Sequence, residues 1–148
     1  MEVTIGKWFA APRELVFRAF TEPRLLEQWF CPSPEVALRV EQCDVRPSGK
    51  FRLIFYFPGN RVVPVIGEYQ TVKVPEKLVY TWTWEDPDPW AGVVTLVTVD
   101  FRDLDGGTDV VIHHSRFTTQ EMKQMHEAGW PPALSRLDSL VSQFEKFQ

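Results

Sequence analysis

Histidine is the residue type in this chain best suited to moving a proton, because imidazole changes its charge near neutral pH. His114 closes an alternating run that also contains Thr108, Val110 and Ile112. If the run is a strand, these side chains share one face, which we expect to be the concave face of a sheet. His114 would then contact a ligand oxygen or transfer a proton in a pocket. The alternative is a hydrogen-bonded histidine at the edge of the sheet.

No metal site is predicted from the other histidines and the cysteines. Successive side chains of a strand point to opposite faces, so His113 and His114 cannot hold one ion from the same face. His126 has no recognised metal-ligand spacing around it. Cys31 and Cys43 fit no zinc or redox motif, and free thiols in a reducing compartment are expected, with a disulfide as the alternative. We therefore expect no metal and no cofactor.

Covalent catalysis has no recognisable motif in this sequence. There is no GxSxG elbow, and neither cysteine has a histidine close to it in sequence. Asp86 and Asp88 lie in a proline-rich loop, where we expect both carboxylates to be solvated. The one acid–base pair that the sequence offers is His114 with Tyr80. We predict no catalytic residues.

Aromatic residues are abundant, at 14% of the chain, with 6 Trp and 11 Phe. Tyr80, Trp82 and Trp84 alternate, so they share one face of a predicted strand. Aromatic side chains on neighbouring elements are Trp29, Phe51, Phe55, Phe57 and Trp130. Such a set either lines a ligand pocket or fills a packed core. The sequence leaves both interpretations open.

The C-terminal segment 130–147 predicts an amphipathic helix that would position several of these residues. Pro131 and Pro132 are compatible with its first turn, where no backbone donor is needed. Its apolar residues recur at steps of three and four: Trp130, Leu134, Leu137, Val141 and Phe144. This stripe requires an apolar surface to pack on. Since most of the preceding chain resembles strands, that surface should be a sheet.

Two short helices are predicted early in the chain. Val3–Phe9 alternates like a first strand, and a helix is expected to open at residues 11–14. Thr21 is expected to cap the second helix, with Pro23 in its first turn. Residues 31–34 end that helix, since they contain two prolines.

The middle of the chain alternates like a series of strands joined by short turns. The predicted strands are 36–40, 51–57, 62–74, 78–84, 93–101 and 108–115. Gly67 is expected to mark a bulge in the third of these. Thr118 and Glu121 form a predicted capping box for a helical segment, and residues 129–132 predict a break or kink before the final helix. Sequential strands with short connections indicate an antiparallel meander.

These elements together predict an α+β helix-grip fold. A curved antiparallel sheet of about six to seven strands would wrap around the long C-terminal helix, with two short helices after the first strand. Helix and sheet curvatures do not match everywhere, so a hydrophobic pocket between them is expected. Residues 1–148 should form a single domain.

Several motifs resemble one known family. They are residues 15–23 (LVFRAFTEP), 28–30 (QWF), 45–51 (VRPSGKF), 67–69 (GEY), 75–82 (PEKLVYTW), 97–101 (VTVDF), 107–108 (GT), His114 and 129–130 (GW). Together they resemble the family named after the activator of the 90-kDa heat shock protein ATPase, within the START-like (SRPBCC) superfamily. The resemblance covers almost the whole chain. Ser48 and Cys31 depart from it, because glycine is common at both positions in the family.

The resemblance implies a helix-grip domain with a pocket but no single activity, since fold does not fix function. We expect a non-enzymatic protein that binds a hydrophobic or aromatic small molecule between sheet and C-terminal helix. The predicted ligand-binding residues are Trp29, Phe55, Tyr80, Trp82, Val99, His114, Trp130, Leu134 and Leu137. The first alternative is an interaction module for a chaperone or another protein, and the second is an enzyme of the polyketide cyclase or aromatase type.

Charge and hydropathy limit the partners. The net charge of −4 and the absence of a basic stripe argue against nucleic acid and anionic membranes. No apolar run approaches the roughly 20 residues of a spanning helix, and the N-terminus has no export signal, so a cytoplasmic location is expected. We expect a monomer or a homodimer.

Overall fold

Seven strands and three helices make up the part of the chain that the structure, a computed structural model, describes: residues 1–145. In chain order they are β1 (Val3–Phe9), α1 (Arg13–Thr21), α2 (Pro23–Trp29), β2 (Ala37–Cys43), β3 (Lys50–Phe57), β4 (Arg61–Lys73), β5 (Lys77–Trp84), β6 (Thr95–Leu104), β7 (Gly107–Ser115) and α3 (Gln120–Glu145). The helices within this range include none that is long and apolar enough to cross a membrane.

The seven strands form one antiparallel sheet in the order β1-β7-β6-β5-β4-β3-β2. The chain therefore runs as a meander from β2 to β7, and β1 pairs with β7 at one edge of the sheet. The sheet is curved and holds α3 on its concave side, so the predicted α+β helix-grip fold is confirmed. Its two edges are β1 and β2.

The core lies between the concave face of the sheet and the helices. Strict alternation of buried and partly exposed residues in β5 and β7 sends every second side chain inward, as a half-solvated sheet requires. From β7 these are Thr108, Val110, Ile112 and His114, so the predicted concave position of His114 is confirmed. From α3, Leu134 and Leu137 complete the same cluster.

Helix α3 is longer than predicted, because it is continuous from Gln120 through Pro131 and Pro132 to Glu145. Of the break or kink predicted at residues 129–132, the break is therefore wrong. Each proline removes one i→i−4 hydrogen bond, but the helix buries Trp130, Ala133 and further apolar residues against the core, and this packing outweighs the loss. The predicted end of the helix near residue 147 lies outside the described residues.

Two predicted helix caps are also wrong. Thr119 rather than Thr118 caps α3, since the Met122 amide donates to the Thr119 hydroxyl at 3.1 Å; Glu121 is thus one position too early for a capping box. Thr21 does not cap α2, because its hydroxyl donates back to the Phe17 carbonyl at 3.0 Å. Both errors are shifts of the helix boundary by one residue.

The irregularity in β4 lies beyond Gly67. The register against β5 shifts between Tyr69 and Thr71, so the bulge predicted at Gly67 is wrong. Gly67 instead permits a close approach: a Cβ atom there would lie 2.1 Å from the Phe51 ring and 2.2 Å from the Thr81 carbonyl oxygen. The glycine is required by the packing of β3 and β5 on either side of β4.

Two glycine substitutions test these assignments: Gly129 lies in a regular stretch of α3, and Gly67 lies where a side chain has no space. Gly129→Ala should stabilise the protein by about 0.5–1 kcal/mol, because alanine favours a helix interior and the new Cβ would meet only the Pro32 Cβ, at 3.9 Å. Gly67→Ala should destabilise it, because the Cβ has no space. Urea unfolding measures both; a Gly129→Ala variant less stable than wild type would contradict a regular helix at this position.

Candidate functional site

A cavity of about 260 Å³ opens between α3 and the β3–β5 part of the sheet. The segment after α2 and the loop after β5 close its sides. Its lining consists of Phe30, Cys31, Pro32, Phe55, Phe57, Arg61, Trp82, Trp84, Asp88, His114, Met125, His126, Gly129, Trp130 and Ala133. The predicted pocket between sheet and helix therefore exists as a space, and most of its surface is aromatic or aliphatic.

Aromatic rings fix the shape of the sheet side of this cavity. Trp82 packs edge-on against Trp84 at a centroid distance of 5.4 Å, and against Phe55 at 6.1 Å. Phe30, from the end of α2, stacks on Trp82 at 5.6 Å with the ring planes 7° apart. Phe30 also contacts Trp130 of α3 at 5.7 Å. The walls are thus rigid aromatic surfaces that support one another.

The mouth of the cavity carries its two charged residues. Arg61 Nη2 lies 3.6 Å from Asp88 Oδ2, and the guanidinium lies over the Phe57 ring at 5.1 Å. The second carboxylate oxygen of Asp88 accepts a hydrogen bond from the Trp90 amide at 2.9 Å. The Asp88 side chain is only 7% exposed, so the prediction that it would be solvated is wrong. These charges neutralise each other.

His114 is held by hydrogen bonds on both ring nitrogens. Trp130 Nε1 donates to Nδ1 at 3.2 Å, and Thr95 Oγ1 lies 2.9 Å from Nε2. Since the Thr95 hydroxyl donates to the Trp82 carbonyl at 2.8 Å, it accepts from His114. His114 is therefore a neutral imidazole with its proton on Nε2. The ring is hydrogen-bonded, as the alternative predicted, but β7 is an interior strand, so the predicted position at the edge of the sheet is wrong. The ring also borders the cavity.

His126 is held in the same way but in the other tautomer. Its Nδ1 donates to the Met122 carbonyl, at 2.7 Å, and its Nε2 accepts from Trp84 Nε1 at 2.9 Å. The ring lies beside His114 at a centroid distance of 5.2 Å. Each imidazole therefore receives an indole N–H, and neither has a nitrogen free for a substrate.

Burial sets the charge state of both histidines. It lowers the pKa of His114 well below the ordinary value of 6.5, and the neighbouring His126 lowers it further. Burial also lowers the pKa of His126, although its hydrogen bond to Met122 acts in the opposite direction. Two adjacent neutral rings avoid the repulsion of two buried cations. In the described part of the chain no group of three or more His, Cys, Asp or Glu side chains could hold a metal ion.

The predicted site residues fall into three groups. Phe55, Trp82, His114 and Trp130 line the cavity. Trp29, Val99, Leu134 and Leu137 are packed in the core at 0–1% exposure and do not border it. Tyr80 borders a second, smaller cavity of about 20 Å³. Tyr80 and His114, the predicted acid–base pair, therefore border different cavities.

Sequence reasoning missed His126 and Phe30 as members of the lining. His126 and Trp130 are four residues apart and therefore share a helix face. That signal was hidden because a helix break was expected at residues 129–132, which separated the two. Trp84 belongs to the aromatic set that the sequence offers as a possible pocket wall, although it is not among the predicted ligand-binding residues.

Two buried polar atoms near the cavities have no hydrogen-bond partner among residues 1–145: the Tyr80 hydroxyl and Trp82 Nε1. Trp82 borders both cavities, and Phe30 is the other residue that borders both and separates them. Burial raises the pKa of Tyr80, so its hydroxyl stays protonated. Both atoms are therefore available as donors. Cys31 and Cys43 are both free thiols.

The fold and the cavity together define a helix-grip domain with a largely apolar cavity that opens to the surface. The family model described as "Activator of Hsp90 ATPase homolog 1-like protein" matches residues 10–142, and the chain belongs to this family. A comparison with curated proteins found no match.

Solved structures show the same fold. A crystallised protein from Chromobacterium violaceum is 24% identical with a TM-score of 0.85, covering 95% of this chain and 96% of that one. A protein from Silicibacter pomeroyi named AHSA1 is 23% identical with a TM-score of 0.83, covering 97% and 99%. A protein from Arthrobacter aurescens, solved by NMR, is 23% identical with a TM-score of 0.84, covering 96% and 86%. At these identities the similarity establishes the fold alone.

The buried neutral His114 predicts a loss of stability in acid. Its pKa is lower in the folded protein than the ordinary 6.5, so its contribution is complete above that pH and is lost as the pH falls. One histidine contributes at most about 1.4 kcal/mol per pH unit, or about 2 kcal/mol between pH 6.5 and 5. Urea unfolding should show a shallower pH dependence for His114→Gln than for wild type.

The matched control is His113→Gln, since the His113 side chain is 40% exposed on the outer face. Because His113 also contacts Glu2, at 3.0 Å, the change in pH dependence should be larger in His114→Gln than in this variant. Equal pH dependence of wild type and His114→Gln would contradict a buried neutral His114.

Proposed function

We propose that this protein is a non-enzymatic binding protein that holds a hydrophobic or aromatic small molecule in the cavity between β3–β5 and α3. The observation that carries the proposal is the cavity itself, about 260 Å³ in a core that is otherwise closely packed. Phe55, Trp82, His114 and Trp130, together with Phe30 and His126, would contact the ligand. The protein would act as a single domain over residues 1–148, in the cytoplasm, as a monomer or homodimer.

The size of the cavity supports a small ligand. An engineered apolar cavity of about 150 Å³ is large enough for benzene. A cavity of about 260 Å³ is therefore suited to one or two fused rings or a short branched chain. Affinity would come mainly from burial of apolar surface, at about 25 cal/mol per Å² before the costs of association.

The polar groups of the lining support binding rather than catalysis. Both nitrogens of His114 and of His126 are engaged by protein groups. A general acid or base needs a nitrogen within hydrogen-bond reach of the substrate. The cyclase or aromatase alternative has no further support, since Tyr80 and His114 border different cavities.

A cavity-filling substitution tests the proposal. Ala133 lines the cavity from α3, so Ala133→Phe should weaken binding of 1-tetralone, a bicyclic probe, by at least about tenfold through steric exclusion. Calorimetric titration of the purified protein measures the affinity. Ser135→Phe on the exposed side of the same helix is the matched control and should bind as wild type does. Equal affinity of Ala133→Phe and wild type would contradict binding in this cavity.

A second candidate function is an interaction module for a chaperone of the 90-kDa heat shock class, which the family name suggests. The observation that favours it is an apolar patch on the outer face of the sheet, formed by Tyr56, Val62 and Ile66. Tyr56 and Val62 are cross-strand partners, and the three are 38%, 42% and 39% exposed. Exposed apolar patches of this kind are common at protein interfaces.

Charged substitutions in this patch test the second candidate. If the patch binds the chaperone, the wild-type protein should raise the ATPase rate of purified 90-kDa heat shock protein, and Tyr56→Lys with Val62→Lys should abolish the effect. The cavity variant Ala133→Phe should not change it. A rate that wild-type protein leaves unaltered would count against this function and would leave the small-molecule proposal standing.

A further inference from the structure

We propose that the ligand of the large cavity is an uncharged molecule with a ring-shaped apolar body and one hydrogen-bond acceptor, such as a ketone oxygen, which binds the indole N–H of Trp82. This inference rests on the proposed binding function and adds the chemical class of the ligand to it. Trp82 is 5% exposed, borders the cavity, and its Nε1 has no partner among residues 1–145.

The unpaired donor of Trp82 differs from the other buried donors around the cavity. Trp84 Nε1 donates to His126, and Trp130 Nε1 donates to His114. Trp29, which packs behind the lining, donates to the Ala19 carbonyl at 2.9 Å. A buried donor without an acceptor destabilises the folded protein, because the loss of its hydration is not compensated. A ligand acceptor at Trp82 would remove that cost. The protein would then bind molecules that carry a hydrogen-bond acceptor more tightly than molecules that lack one.

A water molecule in the smaller cavity would compete with a ligand for the Trp82 N–H. Its volume of about 20 Å³ accommodates one water molecule but not the body of a ligand. Tyr80 borders this space and not the larger one, and a water there would satisfy its hydroxyl without any ligand. Trp82 borders both spaces, and only the larger one holds a ring system. The question for experiment is therefore whether Trp82 serves the ligand or the water.

The charges around the cavity argue for an uncharged ligand. Arg61 and Asp88 pair with each other at the mouth, and Asp88 is further held by the Trp90 amide. At the Trp82 wall the neighbours are Phe30, Phe55 and Trp84, none of which carries a charge. Burying an unpaired ion there costs several kcal/mol, whereas a carbonyl oxygen needs one hydrogen bond.

The test compares two probes of nearly equal shape, 1-tetralone and its parent hydrocarbon tetralin, by calorimetric titration. The wild-type protein should bind the ketone about five- to tenfold more tightly, the size of one hydrogen bond to a buried donor. Trp82→Phe, which removes the N–H, should reduce this ratio to about one. Trp8→Phe is the matched control, because Trp8 is exposed, lies outside the cavity and donates its N–H to the Leu104 carbonyl at 2.8 Å; that variant should keep the ratio.

Each outcome decides one claim. If neither probe binds wild-type protein, the proposed function fails and this inference fails with it. If both bind with equal affinity, the cavity binds ligands but the assignment to Trp82 is wrong, as it would be if water occupied the donor. A ketone preference that persists in Trp82→Phe also overturns it. Tighter binding of 1-naphthoate than of 1-tetralone would overturn the uncharged class.

A spectroscopic readout on the wild-type protein covers the case in which Trp82→Phe fails to fold. Addition of 1-tetralone should move one indole N–H resonance of a buried tryptophan downfield by hydrogen bonding, and tetralin should not. If both probes bind and neither moves an indole N–H resonance downfield, the proposal is overturned.

Discussion

The structure depends on the packing of α3 against the concave face of a seven-stranded sheet. The helix carries Pro131 and Pro132 in its interior, and Leu134 and Leu137 are fully buried between the helix and the core. The cavity lies beside the N-terminal half of α3, where Met125 to Ala133 contribute to its lining. Large aromatic side chains bridge the gap there, but they cannot fill it. The cavity is the space that remains because a helix and a curved sheet do not stay in contact along their whole lengths.

The polar groups inside this apolar space are arranged in pairs. Two imidazoles accept two indole N–H groups and donate their own protons to Thr95 and to the Met122 carbonyl. In a low-dielectric interior a satisfied network of this kind is rigid, whereas an unsatisfied one is costly. The network keeps both histidines neutral and holds α3 to β5 and β7. It therefore gives the cavity a fixed shape, which suits a binding site better than it suits a site of proton transfer.

The order of the strands and the inner face of the sheet could be predicted from the sequence. The course of α3 and part of the cavity lining could not, for physical reasons. Alternation in β7 placed His114 on the inner face, and the turns gave the meander. Continuation of α3 through Pro131 and Pro132 could not be predicted, because local propensity opposes it and tertiary packing decides it. His126 was missed for that reason. Val99 is on the inner face, as predicted, but it is packed in the core and does not line the cavity. Alternation of side chains predicts the face of a strand. It does not predict which inward residues contact the helix and which border a cavity, because that depends on the curvature of the sheet.

The central claim is that the cavity holds a small apolar molecule, and native mass spectrometry of freshly purified protein tests it most directly. The account predicts a discrete additional mass on the wild-type protein that is lost on denaturation and is absent from Ala133→Phe. A wild-type protein that shows only the mass of its chain, and that gains none in the presence of excess 1-tetralone, would contradict the account. The aromatic residues around the cavity would then serve only to stabilise the core.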